Sequence, residues 1–189
     1  REGDYHFDTI SAFIKSVRGS DPDAAIHYLA RLIEGGADIQ MIGRRLLVMA
    51  SEDVGMAYPN AITVVTSCVQ AALMVGYPEA RINLAQAVIT MEASPKSNRS
   101  YMALTKATSD LRKVETGDVP NHLKDAHYSG AKKRGLGIGY ENPHHYGGYV
   151  DQQYLPDNIK DRRYYEPTDN GTEASFKRYL ESIRESDGK

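Results

Sequence analysis

The chain has 189 residues and a mass of 21.0 kDa, with 23 Lys and Arg against 25 Asp and Glu. A formal net charge of −2 excludes a bulk polycation of the histone type, and 41% hydrophobic with 25% charged residues excludes a disordered chain. Length favours one domain with extra material, or two small ones, and is enough to bury a core with no disulfide or metal staple. The one cysteine, Cys68, cannot form an internal disulfide and lies in an apolar run, which fits a reducing, cytosolic compartment. The longest apolar stretch, 61–75, is interrupted by Thr63, Thr66, Ser67 and Gln70 and is too polar to span a bilayer, so no membrane partner is expected. No signal peptide is visible. The chain opens at Arg1, without an initiating Met, straight into a helical pattern, as expected of a piece of a longer protein.

Residues 4–115 read as six amphipathic helices. Ile10, Phe13, Ile14 and Val17 fall at i, i+3, i+4, i+7 and line one face of the first, which stops at Gly19. Ser20 or Asp21 caps the second, Pro22 suits its first turn, and Ala25, Ile26, Leu29, Leu32 and Ile33 form its stripe. Gly35 and Gly36 end it. Asp38 starts the third, with Ile39, Ile42, Leu46 and Met49 inward, and it stops near Gly55. Pro59 opens the fourth, with Ile62, Val65, Val69 and Leu73 in line, closing at Gly76. Pro78 opens the fifth, whose apolar positions are Leu84, Ala85, Val88, Ile89 and Met91, and Ser94-Pro95 breaks it. The sixth runs from about Ser97 to Glu115 and carries Tyr101, Leu104, Leu111 and Val114. Short connections imply helical hairpins packed as a compact antiparallel bundle.

Composition changes after Glu115. Residues 116–171 hold 8 of the 16 Gly, 4 of the 8 Pro and 7 of the 13 Tyr, with Tyr128, Tyr140, Tyr146, Tyr149, Tyr154, Tyr164 and Tyr165 interleaved among turn formers. That is enough apolar surface for an irregular extension to dock on the bundle, where a Ser/Gly linker would not. Short helices near Asn121 and Ser129 and a short hairpin in the Gly-rich part are expected. A terminal helix follows, with Phe176, Tyr179, Leu180 and Ile183 at helical spacing. The domains are therefore 1–115 (helical bundle), 116–171 (extension) and 172–189 (terminal helix and tail).

Chemistry is sparse. Nothing matches the phosphate-binding G-x-x-x-x-G-K-[ST]: Gly130 and Gly135 have its glycine spacing, but Leu136 and Gly137 stand where Lys and Ser or Thr are needed. The run from Gly135 to Gly139 lacks the following helix that gives such loops an anion site. His144-His145 has no Cys nearby to complete a metal site, and Glu52-Asp53, at a helix end before Gly55, reads more readily as a cap or ion pair with Arg44 or Arg45 than as an acid/base pair. No G-x-S-x-G marks a nucleophile. A hydrolase built on Glu52, Asp53 and the two histidines is the weaker alternative, and no catalytic or metal-binding residue is assigned.

Charge distribution says more than its sum. Between residues 96 and 134 stand Lys96, Arg99, Lys106, Arg112, Lys113, Lys124, Lys132, Lys133 and Arg134 against Asp110, Glu115, Asp118 and Asp125, nine basic to four acidic. The remainder carries 14 basic to 21 acidic residues. A block of this sign, with His122 and His127 added, is the footprint of a phosphate-backbone contact. A solvated face, or a subunit seam meeting acids on a neighbour, reads equally well.

The runs Ile10–Ser16 and Arg18–Ala25, Ala50-Ser51-Glu52-Asp53-Val54-Gly55, Ser94-Pro95-Lys96-Ser97-Asn98, Pro143-His144 with Gly147-Gly148-Tyr149, and Gln153-Tyr154-Leu155-Pro156 together resemble the C-terminal half of the replication-associated recombination protein A family. These are AAA+ ATPases related to clamp loaders and to the Werner-helicase-interacting ATPases. The likeness covers about residues 4–185. It implies a mainly α fold similar to a clamp-loader collar, joining subunits into a homotetramer. It also implies a parent that uses ATP and Mg and acts on single-stranded or forked DNA in replication, recombination and repair, in the cytoplasm at the nucleoid. No cofactor and no catalytic residue are carried over to these residues. The nine basic residues named above are the candidate DNA contacts. The other class left open is an adaptor whose Tyr/Gly-rich extension captures the acidic tail of a single-strand-binding protein.

Overall fold

Helix starts follow the caps read from the sequence. In a computed structural model that describes residues 2–127, 130 and 132–187, Asp21 Oδ1 accepts from Ala24 N (3.0 Å) ahead of Pro22, and Asp38 Oδ1 accepts from Met41 N (2.6 Å). The α-helices are α1 (Glu2–Arg18), α2 (Pro22–Glu34), α3 (Ile39–Met49), α4 (Ala61–Val75), α5 (Ala80–Glu92), α6 (Arg99–Lys113) and α7 (Glu173–Asp187). Among the described residues every regular element is helical, with no strand, and no helix is long and apolar enough to cross a membrane. Contacts divide the chain into two compact units, one of Arg1–Met102 with Pro167–Arg178 and one of Ala103–Glu166 with Tyr179–Lys189.

The first unit is a helical bundle in which α1 packs on α2, α3 on α4, and α5 on both α2 and α4. Phe13, Val17, Leu29, Ile42, Leu46, Met49, Val65, Leu84, Val88 and Met91 form its buried core. Three details depart from the periodicity. The third helical run stops at Gly55 as expected, but its α-helical part, α3, ends at Met49 and its last turn, Ala50–Val54, is π-helical. In α4 the buried line runs through Ala61, Val65, Cys68, Val69 and Ala72, leaving Leu73 exposed; in α5 it runs through Ala80, Leu84, Ala87, Val88 and Met91, leaving Ile89 exposed. Small Ala and Cys side chains join Val65, Val69, Leu84, Val88 and Met91 on the faces these two helices bury. Most different is α6, where Leu104 and Leu111 stand well out in solvent, Tyr101 and, just past the helix end, Val114 are exposed in part, and no residue of the helix is buried.

Residues 167–178 return to the first unit. Thr172 N donates to Ala57 O (2.8 Å), Asn170 Nδ2 donates to Lys96 O (3.0 Å), and a Cβ on Gly171 would stand 2.3 Å from Ala57 O. At φ +54 this position takes glycine and little else. Glu173, fully buried, accepts from Thr168 N (3.0 Å) and Thr168 Oγ1 (2.5 Å) and holds the start of α7.

The second unit is built from loops and short 3₁₀ turns at Asn121–Leu123, Lys132–Arg134, Pro143–Tyr146 and Asp157–Ile159. Long-range polar contacts fix them: His122 Nε2 to Gln153 O (2.7 Å), Asn158 Nδ2 to Glu115 O (3.0 Å) and Gly137 N to Asn121 O (2.8 Å). The turn expected near Asn121 is present; Tyr128 and the helix expected near Ser129 lie outside the described residues. The expected hairpin is absent among the described residues. Gly135, Gly137 and Gly139 all have positive φ, which curls the chain at alternate positions where a strand needs extended backbone.

Candidate functional site

Three runs that stood out in the sequence converge in the first unit. The Ala50–Gly55 turn is stitched to Ser94–Asn98 by Ser97 N donating to Asp53 O (2.8 Å), and a Cβ on Gly55 would meet Ser97 O at 2.8 Å. Arg18, the last residue of α1, donates from Nε to Asp53 Oδ1 (2.8 Å) and from Nη2 to Glu52 Oε2 (3.3 Å). The acidic pair is therefore engaged by Arg18, not by Arg44 or Arg45, which are exposed on α3. Lys96 Nζ donates to Met91 O (2.6 Å) in the last turn of α5, to Ser94 O (2.6 Å) just past its end, and to Ser20 Oγ (2.8 Å) in the α1–α2 turn. A cleft of about 330 Å³ opens here, lined by Arg18, Asp53, Lys96, Ser97, Asn98, Arg99, Thr168 and Asn170.

Burial sets the electrostatics of this junction. It pushes the Asp53 carboxyl above its ordinary value, outweighing the hydrogen bond and charge of Arg18, and it lowers Lys96 against the pull of Glu92 and Asp53. Glu92, 6% exposed at the end of α5, has no hydrogen-bond partner on either carboxylate oxygen. Burial raises it to about 7; Lys96 opposes the rise and Asp21 adds to it. Sequence reading passed over Glu92 because its helix was scanned for apolar periodicity, and a lone acid inside a buried stripe was the available signal.

The nine basic candidates do not form one group. Lys96 and Arg99 belong to the first unit, and the Lys96 ammonium is spent on the helix end. The other seven belong to the second unit. Lys106 pairs with Glu166 (3.6 Å), whereas Arg112 and Lys113 are exposed in the last turn of α6, the end of a helix dipole that favours cations. Lys124 lines a polar cleft of about 590 Å³ with Asp118, Asn121, His122, Gln153 and Asp157. Lys133 and Arg134 are exposed on the Lys132–Arg134 turn, and the Lys132 side chain lies outside the described residues. His144 and His145 are exposed in a turn capped by Asn142, whose Oδ1 accepts from His144 N (3.0 Å). Among the described residues no three His, Cys, Asp or Glu gather as metal ligands.

The family comparison places this helical bundle with the C-terminal helical regions of AAA+ ATPases. The family model described as MgsA AAA+ ATPase C terminal matches residues 19–184, and the chain belongs to that family. It is 52% identical over 185 residues to the replication-associated recombination protein A of Bacillus subtilis, covering 97% of this chain and 44% of that protein. The protein of the same name from Escherichia coli is 39% identical over 98% of this chain and 42% of its own length. ATPase WRNIP1 of Dictyostelium discoideum is 35% identical over 87% of this chain and 19% of its own. The chain thus spans less than half the length of each of these relatives.

Proposed function

We propose that this chain is the oligomerisation collar of a larger DNA-dependent ATPase that maintains replication forks and serves recombination and repair. In this reading several copies, four by the family resemblance, bury leftover apolar helix surface against one another. They thereby fix the ATPase modules, which would hold ATP and Mg, around one axis. The observation that carries it is the large apolar side chain left in solvent by an otherwise well-packed bundle, Met74 at 87% and Ile82 at 71% exposure above all. Exposed Arg112, Lys113, Lys133 and Arg134 supply the surface offered to DNA.

Titrating the 189-residue chain into labelled forked and single-stranded DNA at several salt concentrations tests the DNA arm. Reversing Lys132, Lys133 and Arg134 to Glu is expected to weaken binding and flatten its salt dependence. Unchanged affinity and slope would assign these residues to a solvent face or subunit seam instead.

A further inference from the structure

In the second unit, two loops close on the polar cleft of about 590 Å³ lined by 117–122, Lys124, Gln153, Asp157 and Asn158. Its walls are tied across long stretches of chain: His122 Nε2 meets Gln153 O (2.7 Å), Asn158 Nδ2 donates to Glu115 O (3.0 Å), and Gln153 Nε2 donates to Asp157 Oδ1 (2.7 Å). The cleft is therefore preformed, and its volume lies in the range of small-molecule sites, about 300–1,000 Å³. Inside it the Asp118 carboxylate, the Asn121 carboxamide and the half-buried Lys124 ammonium make no hydrogen bond or ion pair among the described residues. Val119, 55% exposed, adds an apolar surface. At the rim stand two half-exposed tyrosines whose segments Gln152 joins, its Nε2 donating to the Tyr154 hydroxyl (2.8 Å) and to Glu141 O (2.7 Å), next to Tyr140. Tyr154 follows the wall residue Gln153, and Tyr140 follows Gly139, where a Cβ would stand 4.0 Å from His122 Cβ.

The wall chemistry selects the occupant. An inorganic anion or an acidic peptide would use Lys124 and be repelled by Asp118 and Asp157. A nucleotide is anionic at its phosphate and, on adenine, cytosine or guanine, carries an amino group whose N–H a carboxylate accepts. Paired bases are stacked inside a duplex and do not reach into such a cleft, so the base must be unpaired. Aromatic rings at the rim extend the site to adjacent bases, which favours a strand over a free nucleotide. We propose that the cleft holds one unpaired nucleotide of a single DNA strand whose base carries an exocyclic amino group, with Lys124 on the phosphate, Asp118 on the amino group, and neighbouring bases stacked on Tyr140 and Tyr154. The inference rests on the DNA arm of the reading above and adds a base-reading site to the exposed cations named there.

Anisotropy titration of the 189-residue chain with labelled homopolymer strands of deoxyadenylate, deoxycytidylate and thymidylate tests the site, since thymine alone of the three bases lacks the amino group. The wild type is expected to bind the first two about 10-fold tighter than the third. Asp118→Ala, at an exposed side chain, is expected to keep the wild-type far-UV circular dichroism and to bring the three affinities within about 2-fold of one another. Lys124→Ala is expected to weaken all three alike and to reduce the salt slope by about 1. Three equal wild-type affinities, a preference that survives Asp118→Ala, or an affinity and slope unmoved by Lys124→Ala overturn the base site while leaving DNA binding intact. A wild type that binds none of the strands overturns the DNA reading itself.

Discussion

Glu92→Gln isolates the buried carboxyl at the end of α5. Both oxygens of Glu92 are buried without a donor, because Lys96 Nζ is already held by Ser20, Met91 and Ser94. The group titrates at about 7 in the fold against an ordinary 4.5. Folding therefore tightens its hold on the proton about 300-fold, worth about 3 kcal/mol. The sign follows from which state binds more protons. Between pH 4.5 and 7 the folded chain keeps this proton and the unfolded chain releases it, so the contribution is full below about 4.5 and is lost as pH rises through about 7. Gln carries no titration. Between pH 5 and pH 8 the wild type should lose about 2.5 kcal/mol relative to Glu92→Gln. Urea unfolding followed by circular dichroism at both pH values measures that double difference, in which any fixed cost of the buried amide cancels. Parallel profiles, or a wild type that gains on the variant toward pH 8, would refute the reasoning.

Other perturbations probe the same junction. Arg18→Ala leaves Asp53 buried without its cation and should cost about 3 kcal/mol in urea unfolding, whereas Arg44→Ala and Arg45→Ala should stay within about 0.5 kcal/mol. Gly55→Ala and Gly171→Ala force a Cβ to 2.8 Å from Ser97 O and 2.3 Å from Ala57 O at positive φ. Each should lower stability by more than about 2 kcal/mol, read as a drop of about 4–8 °C in Tm. Asp38→Ala removes the α3 cap and should cost about 1 kcal/mol, measured the same way.

Helix starts and stops were the most legible features, because Asp21, Pro22, Asp38, Gly35 and Gly76 act locally and their chemistry is the same in any bundle. The faces of α4 and α5 were harder to read: scanning for large apolar residues picks Ile62 and Leu73, whereas packing chose Ala61, Cys68 and Ala72. Periodicity in α6 was real and misleading, since an apolar stripe announces that it will be buried without saying whether by its own chain. The polar junction was visible in pieces. Its runs were recognisable one by one, but only folding brings Arg18 to Glu52 and Asp53, or Asn170 to Lys96, across 34, 35 and 74 residues of sequence. The basic block between 96 and 134 is continuous in sequence yet divided between two units, with Lys96 engaged on a helix end.

Self-association of this region underlies the proposed collar. Light scattering of the wild-type chain over a concentration series from low to high micromolar measures it most directly. A collar gives a mass of two or more whole multiples of 21.0 kDa that holds on dilution through the micromolar range. A mass of 21.0 kDa at every concentration would contradict it.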